Sequence, residues 1–167
     1  MGIRSIAIAP VLAAVLVLLP ATAVADSAAR RDSRNDAPAR IDVTRVLYQH
    51  RVHRVSTRVR IPELGRTGRV ALAISRFDIF EAGYVASVRR RSDGSVSRRL
   101  GYFDHFETTP RRCDVGGSWN RARGVVTVTV PRDCLKGHRT PRLYVAARSL
   151  HGNSFDDAPA VRRLGRG

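Results

Sequence analysis

The segment Asp104-His105-Phe106-Glu107 places a histidine between two carboxylates. An imidazole flanked by carboxylates can act as a general base or as a metal ligand. Acid–base catalysis needs a second positioned group, and the spacing of the sequence identifies none. No nucleophile elbow, phosphate-cradling glycine loop or His-Glu-x-x-His motif accompanies it. We predict an exposed loop at Asp104, His105 and Glu107, with a hydrolase that uses these residues as the alternative.

A second group of chemistry-bearing residues lies near the end of the sequence. Asn153, Asp156 and Asp157 could join Asp42 around a calcium ion, because Ca²⁺ takes six or more oxygen ligands. The spacing is not that of an EF-hand loop. We predict that residues 151–157 form a polar segment that caps the sheet, with a calcium site as the alternative. No cofactor is predicted.

Arginine dominates the basic residues: Lys136 is the only lysine, and the formal net charge is +16. Guanidinium groups bind phosphate and carboxylate in a bidentate manner. A GC-rich genome would also favour arginine over lysine, but it does not explain the net charge. We predict one arginine-rich sheet face that binds anionic polymers or lipid headgroups by charge neutralisation. Its candidate residues are Arg54, Arg58, Arg60, Arg89, Arg98 and Arg99. The sequence carries no motif for sequence-specific nucleic-acid binding.

Two cysteines, Cys113 and Cys134, are the only ones in the sequence. An even pair in an exported protein indicates a disulfide. A loop of this length contributes about 3 kcal/mol to stability in the chain-entropy treatment. We therefore predict one disulfide and no zinc site.

The elements that must position these residues are β-strands. Apolar and polar residues alternate with period two in seven segments, and no helical period of useful length occurs. The pattern predicts an all-β fold, an antiparallel β-sandwich of about seven strands, with a small β-barrel as the alternative. The candidate strands cover residues 41–48, 54–61, 70–75, 84–91, 95–103, 125–130 and 142–150.

The dipeptide Asp93-Gly94 predicts a tight hairpin between the fourth and fifth of these strands. A two-residue type I′ turn at this dipeptide favours a register that pairs Arg89 with Arg98 and Val88 with Arg99. Arginines that face each other across two strands repel, unless water screens them or an anion lies between them.

The first residues of the chain indicate export. Arg4, an apolar run from Ile6 to Leu19 and the sequence Ala23-Val24-Ala25 have the order of a signal peptide with its cleavage site. The predicted organisation is a signal peptide at 1–25, a disordered polar linker at 26–40, a β-sandwich at 41–158 and a basic tail at 159–167. The expected location is extracellular, after cleavage near Ala25.

The sequence resembles small secreted β-sandwich proteins that are common in high-GC Gram-positive bacteria. The resemblance rests on the opening Ile41-Asp42-Val43, on the run Val126-Thr127-Val128-Thr129-Val130-Pro131-Arg132-Asp133-Cys134-Leu135 and on Asp156-Asp157-Ala158-Pro159. It implies the fold and no assigned activity.

Three function classes follow from the sequence. The first is a secreted, non-enzymatic protein that binds anionic cell-envelope or extracellular polymers, such as teichoic acids, anionic polysaccharide or extracellular DNA. The second is the hydrolase described above. The third is a structural or adhesive envelope protein, which would expose an apolar patch or an unpaired strand edge. The oligomeric state is not predicted.

Overall fold

The computed structural model describes residues 26–76, 81–105, 107–137 and 140–167, so the predicted signal peptide lies outside the described residues. Eleven strands and one 3₁₀ turn (Arg132–Cys134) occur in these ranges. The strands are β1 (Asp26–Arg31), β2 (Arg45–His50), β3 (Arg54–Arg60), β4 (Gly68–Ser75), β5 (Ala82–Arg90), β6 (Val96–Asp104), β7 (Glu107–Arg111), β8 (Gly116–Asn120), β9 (Val125–Pro131), β10 (Arg142–His151) and β11 (Ser154–Gly165). None of the described residues forms a helix long and apolar enough to cross a membrane.

The strands pair into two antiparallel sheets. Sheet A has five strands in the order β1-β2-β3-β9-β8, and sheet B has six in the order β11-β10-β4-β5-β6-β7. Both sheets are open at their edges. The predicted antiparallel β-sandwich is therefore confirmed, and the chain does not form the alternative barrel.

The core lies between the inner faces of the two sheets. In sheet A, β9 contributes Val126, Val128 and Val130, all fully buried. In sheet B, β4 contributes Val70, Leu72 and Ile74, which are also fully buried. Each such side chain stabilises the fold by about 1.5–3 kcal/mol relative to its exposed state. The intervening residues point outward, because successive side chains of a strand lie on opposite faces.

The four strands that the alternation did not predict are the four sheet edges, β1, β8, β7 and β11. The expected disordered linker is wrong for Asp26–Arg31: these residues pair with β2 over its whole length, from Asp26 opposite His50 to Arg31 opposite Arg45. Backbone hydrogen bonds hold this strand, and a polar sequence can supply them. β1 lies at the edge of sheet A, where Ala28 packs against the core, so its sequence need not alternate between apolar and polar residues.

The expected C-terminal tail also belongs to the sandwich. Residues 159–165 continue β11, which pairs with β10 through two register shifts. Val145 lies opposite Val161, and Ala147 lies opposite Ala158, so β11 uses three residues where β10 uses two. Bulges of this kind turn every third residue of β11 inward. Ala158, Val161 and Leu164 are all buried, at a spacing that a period of two does not detect.

The β5–β6 hairpin is present, but its register differs from the prediction. Arg89 lies opposite Ser97 and Val88 opposite Arg98. Arg91 N–H donates to the Ser95 carbonyl, and Gly94 N–H donates to the Arg91 carbonyl with Gly94 at φ = 83°. This is a three-residue loop ending in a left-handed glycine, not a two-residue turn, and it shifts the pairing by one residue. The predicted Arg89–Arg98 pair is therefore wrong.

The disulfide between Cys113 and Cys134 is present, with Cα atoms 6.0 Å apart. Cys113 follows β7 of sheet B, and Cys134 follows β9 of sheet A. The bond therefore fixes the segment that crosses from one sheet to the other, and it confirms the pairing predicted from the sequence.

Tyr48 joins the two sheets through its hydroxyl group. The hydroxyl donates to the Pro159 carbonyl (3.2 Å) and accepts from the Ala147 N–H (3.0 Å). Both backbone groups lie at the second register shift between β10 and β11. The ring is fully buried, and burial raises the pKa of Tyr48, so the hydroxyl keeps its proton at neutral pH.

Replacing Tyr48 by phenylalanine tests this role. We expect Tyr48→Phe to lower the free energy of unfolding by about 1–3 kcal/mol, because the buried Ala147 N–H loses its partner. Chemical denaturation measures the loss. Tyr84→Phe is the control: its hydroxyl donates to the carbonyl of exposed Lys136, which water can reach, so its loss should be smaller. Equal losses would contradict this assignment.

His50 makes stability depend on pH. Burial lowers its pKa; the hydrogen bond with the Leu164 carbonyl opposes this, and the charges of Arg132 and Arg166 lower it further. The unfolded histidine titrates near pH 6.5. Between the lowered folded pKa and this value the unfolded state binds more protons, so the free energy of unfolding falls as the pH falls.

Denaturation from pH 7.5 to pH 5.5 checks this dependence. We expect His50→Gln to reduce the fall in the free energy of unfolding between pH 6.5 and pH 5.5, whatever its effect on stability at pH 7.5. His53→Gln, at an exposed position, should leave the slope unchanged. The same slope in both variants would contradict the role of His50.

Candidate anion-binding faces

The outer face of sheet A carries arginines in register across three strands. Arg31 lies opposite Arg45 in the β1–β2 pair, and Arg45 lies opposite Arg60 in the β2–β3 pair. We call these three residues row A. Arg58 follows one step along β3, opposite Leu47 and Thr127.

Row A borders an open depression of about 760 Å³. Its lining residues are Arg31, Asp32, Arg34, Thr44, Arg45, Leu47, Arg58, Arg60 and Val125. Among the described residues, no carboxylate makes an ion pair with the arginines of row A. Directly opposite like charges destabilise a sheet, so row A carries a stability cost. The hydrogen bond from Arg60 Nη1 to the Arg123 carbonyl (2.8 Å) holds one of the three guanidinium groups without neutralising it.

The outer face of sheet B carries a second such pair, Arg69 of β4 opposite Arg89 of β5. We call this pair row B. Arg99 lies on the same face opposite Ser87, one rank along. An open depression of about 730 Å³ adjoins row B, and the small residues on its floor include Ala71, Ser87 and Gly101. Because these residues project little from the sheet, the longer arginine side chains form the walls of the depression.

A second depression of about 590 Å³ lies at the hairpin end of the same sheet. Arg69, Arg89, Arg90, Arg91 and His151 are among its lining residues. Neither depression on sheet B has an aspartate or glutamate in its lining. The Asp93 carboxylate in the hairpin turn interacts with Arg91, and the Asp157 carboxylate on the same sheet is paired with Arg148. The surface around row B is therefore predominantly cationic.

The six arginines proposed from the sequence do not form one face. Arg54, Arg58 and Arg60 lie on sheet A, whereas Arg89 and Arg99 lie on the outer face of sheet B, on the other side of the sandwich. Arg98 also lines the 730 Å³ depression, but its Nε donates to the Gly117 carbonyl of β8 (3.0 Å) and links the two sheets. The prediction of a single arginine face is therefore wrong.

Sequence reasoning missed Arg31, Arg34, Arg45 and Arg69 as members of these faces. Arg31 and Arg34 lay in the expected linker, and Arg45 and Arg69 acquire their neighbours only through strand pairing. The alternation in β2 and β4 signals which residues point outward, but not which arginine of another strand each will face.

Asp104 and His105 lie at the exposed tip of the β6–β7 hairpin. His105 Nδ1 and Asp104 Oδ1 are 2.8 Å apart, and the two side chains are 72% and 60% exposed. Glu107 lies opposite Asp104 and is also exposed. These three side chains do not line the depressions beside rows A and B. The carboxylate–histidine pair that a general base needs is present, and both of its side chains are largely open to solvent.

The candidate calcium ligands are separated by the fold. Asp42 and Asp156 come together with Asp36, their carboxylate oxygens within 4.8 Å of one another. Asp157 points to the opposite face of β11 and pairs with Arg148, whose Nη2 lies 2.7 Å from Asp157 Oδ2. Asn153 is exposed at the β10–β11 turn. The structure thus retains two of the four predicted residues in one cluster and adds Asp36.

No known protein family, no curated protein and no solved structure matches this chain. The resemblance to secreted β-sandwich proteins of Gram-positive bacteria therefore stays a prediction, and the function must be argued from the residues of this chain.

Row A yields a prediction about stability. We expect Arg45→Gln to raise the free energy of unfolding by about 0.2–1 kcal/mol at low salt, because the variant removes repulsion from Arg31 and Arg60. The gain should shrink in 0.5 M salt, where screening is strong. Arg142→Gln is the control, since Arg142 lies opposite Gly165. A gain at Arg45 that salt does not reduce would contradict the repulsion.

Proposed function

We propose that this protein is exported, is not an enzyme and binds anionic polymers through two arginine faces on opposite sides of its sandwich. The observation that carries the proposal is the direct opposition of arginines in row A and in row B. A phosphate, sulfate or carboxylate placed between two guanidinium groups converts their repulsion into two charge-assisted contacts. A polymer with regularly spaced anions supplies several such groups at once.

The open, arginine-lined depressions support a polymer over a small ligand. Small-molecule sites enclose most of the ligand surface, whereas the depressions beside rows A and B are open to solvent. Extended polyanions bind through many exposed cationic contacts and need no deep cleft. Export is supported by the disulfide and by the signal-peptide features of residues 1–25.

The alternative functions have weaker support. An adhesive envelope protein would expose a contiguous apolar patch or an unpaired strand edge. Both sheets do have open edges, but no apolar patch accompanies them, since the large apolar side chains exposed among the described residues are Val52 and Phe155. Phe155 lies under the Arg148 guanidinium, 4.5 Å from ring centre to Cζ. A hydrolase would need a cleft at His105, and that residue lies on an exposed turn.

Salt-dependent binding to immobilised polyphosphate and heparin tests the proposal. We expect elution well above 0.15 M salt, with log K falling linearly against log salt concentration. Arg45→Gln/Arg60→Gln and Arg69→Gln/Arg89→Gln should each reduce that slope. Arg66→Gln/Arg142→Gln removes the same charge from exposed positions outside the two rows and should reduce it less.

Two opposite faces also predict cross-linking. At near-stoichiometric ratios, the wild-type protein should make long-chain polyphosphate turbid, because one molecule can hold two chains. The row A variant (Arg45→Gln/Arg60→Gln) and the row B variant (Arg69→Gln/Arg89→Gln) should each abolish the turbidity, because one binding face remains and the protein still binds a single chain. Elution at or below 0.15 M salt, or equal loss of affinity in the control variant, would contradict the proposal.

A further inference from the structure

Three carboxylates converge where the N-terminal segment meets β11. Asp36 and Asp42 belong to the irregular segment between β1 and β2, and Asp156 belongs to β11. One oxygen from each lies within 4.8 Å of the other two. Two oxygens bound to one calcium ion at about 2.4 Å are at most about 4.8 Å apart, so the three carboxylates are close enough to share one ion.

Two of these carboxylates are almost entirely removed from solvent. Asp42 is 7% exposed and Asp156 is 8% exposed. Buried carboxylates require an ion-pair partner, a metal or a proton. Among the described residues, none of the three pairs with an arginine, although arginine is abundant in the chain. Asp36 is exposed, which leaves one side of the cluster open to water and to an entering ion.

An orphaned oxygen points to a missing partner. Asp42 Oδ2 accepts a hydrogen bond from the Asn35 N–H (3.1 Å), but Asp42 Oδ1 is shielded from solvent and has no hydrogen-bond partner. Asp32, close enough to feel the charges of all three carboxylates, likewise has a shielded Oδ2 without a partner. Within the described part of the chain neither oxygen has a donor, and a cation held by the cluster would satisfy Asp42 Oδ1.

The remaining contacts position the carboxylates and do not neutralise them. Val43 N–H donates to Asp156 Oδ2 (2.6 Å), and Ser33 N–H donates to Asp32 Oδ1 (2.9 Å). Burial raises the pKa of Asp156; the Val43 hydrogen bond opposes this, and the charges of Asp36, Asp42 and Asp157 raise it further. The neighbouring charges acting on Asp156 are thus negative.

We propose that Asp36, Asp42 and Asp156 form a calcium-binding site that fastens the N-terminal segment to the C-terminal strand. All-oxygen ligands suit hard cations, and the irregular segment can adjust to the longer, variable bonds of Ca²⁺ more readily than to the strict octahedron of Mg²⁺. Water and backbone carbonyls complete the coordination. Val43 and Asp156 are 113 residues apart, so the ion joins both ends of the domain. The three ligands are distinct from the arginines of rows A and B, although Asp32, which lines the row A depression, lies within reach of their charges.

Calcium titration of the chelator-treated wild-type protein is the direct test and needs no variant. We expect one Ca²⁺ per chain by calorimetry, with a Kd of about 10⁻⁴–10⁻³ M, as in extracellular modules. At ten times Kd the midpoint of thermal unfolding should rise by about 3–6 °C, and the same concentration of Mg²⁺ should raise it less. No shift in 10 mM CaCl₂ would overturn the proposal.

Asparagine variants distinguish between two explanations of the cluster: a calcium site, or carboxylates that share a proton. Asp42→Asn and Asp156→Asn should each weaken calcium binding at least tenfold. In EDTA they should unfold at a higher temperature than the wild type, because repulsion is relieved, and in calcium this order should reverse. Asp157→Asn, on the other face of β11, should bind within about threefold of the wild type. Stabilisation by Asp156→Asn that is equal in EDTA and in calcium would overturn the site.

Discussion

The two-residue period of the β-strand governs the two faces of the seven strands that lie inside the sheets. Val126, Val128 and Val130 point into the core, and the same alternation sends the intervening residues of each strand outward. Once the valine faces of the two sheets are buried against each other, the outward positions of β2, β3, β4 and β5 are fixed as well. The arginines at those positions therefore become neighbours as a consequence of core formation.

The opposition of arginines on the two faces lowers stability and is not needed for packing of the core. Nothing in the packing of the core requires Arg45 to lie between Arg31 and Arg60, and uncharged side chains would remove the repulsion without disturbing the buried face. Opposed like charges lower stability. A surface that retains this cost on both sides of the sandwich has the charge distribution that an anionic polymer would complement.

The acidic cluster, unlike the arginines of rows A and B, is largely buried. Asp42 and Asp156 lie inside, where hydrogen bonds from backbone N–H groups orient them but supply no positive charge. The arginines of rows A and B lie outside without a carboxylate ion pair among the described residues, and Asp42 and Asp156 lie inside without an arginine partner there. Each of these two groups is open to a partner from outside the chain, a polyanion at the surface and a hard cation at the acidic cluster.

The sequence by itself determined the fold class, the disulfide and the seven strands that have a partner on each side, because burial of one sheet face imposes alternation on those strands. It did not reveal β1, β7, β8 and β11, since edge strands are held largely by backbone hydrogen bonds and β11 buries every third residue through its bulges. Only the tertiary structure decided which arginines face each other, as the one-residue shift at Gly94 shows. Only chain folding could bring Asp36 to Asp156, because contacts between distant segments leave no periodic pattern in the sequence.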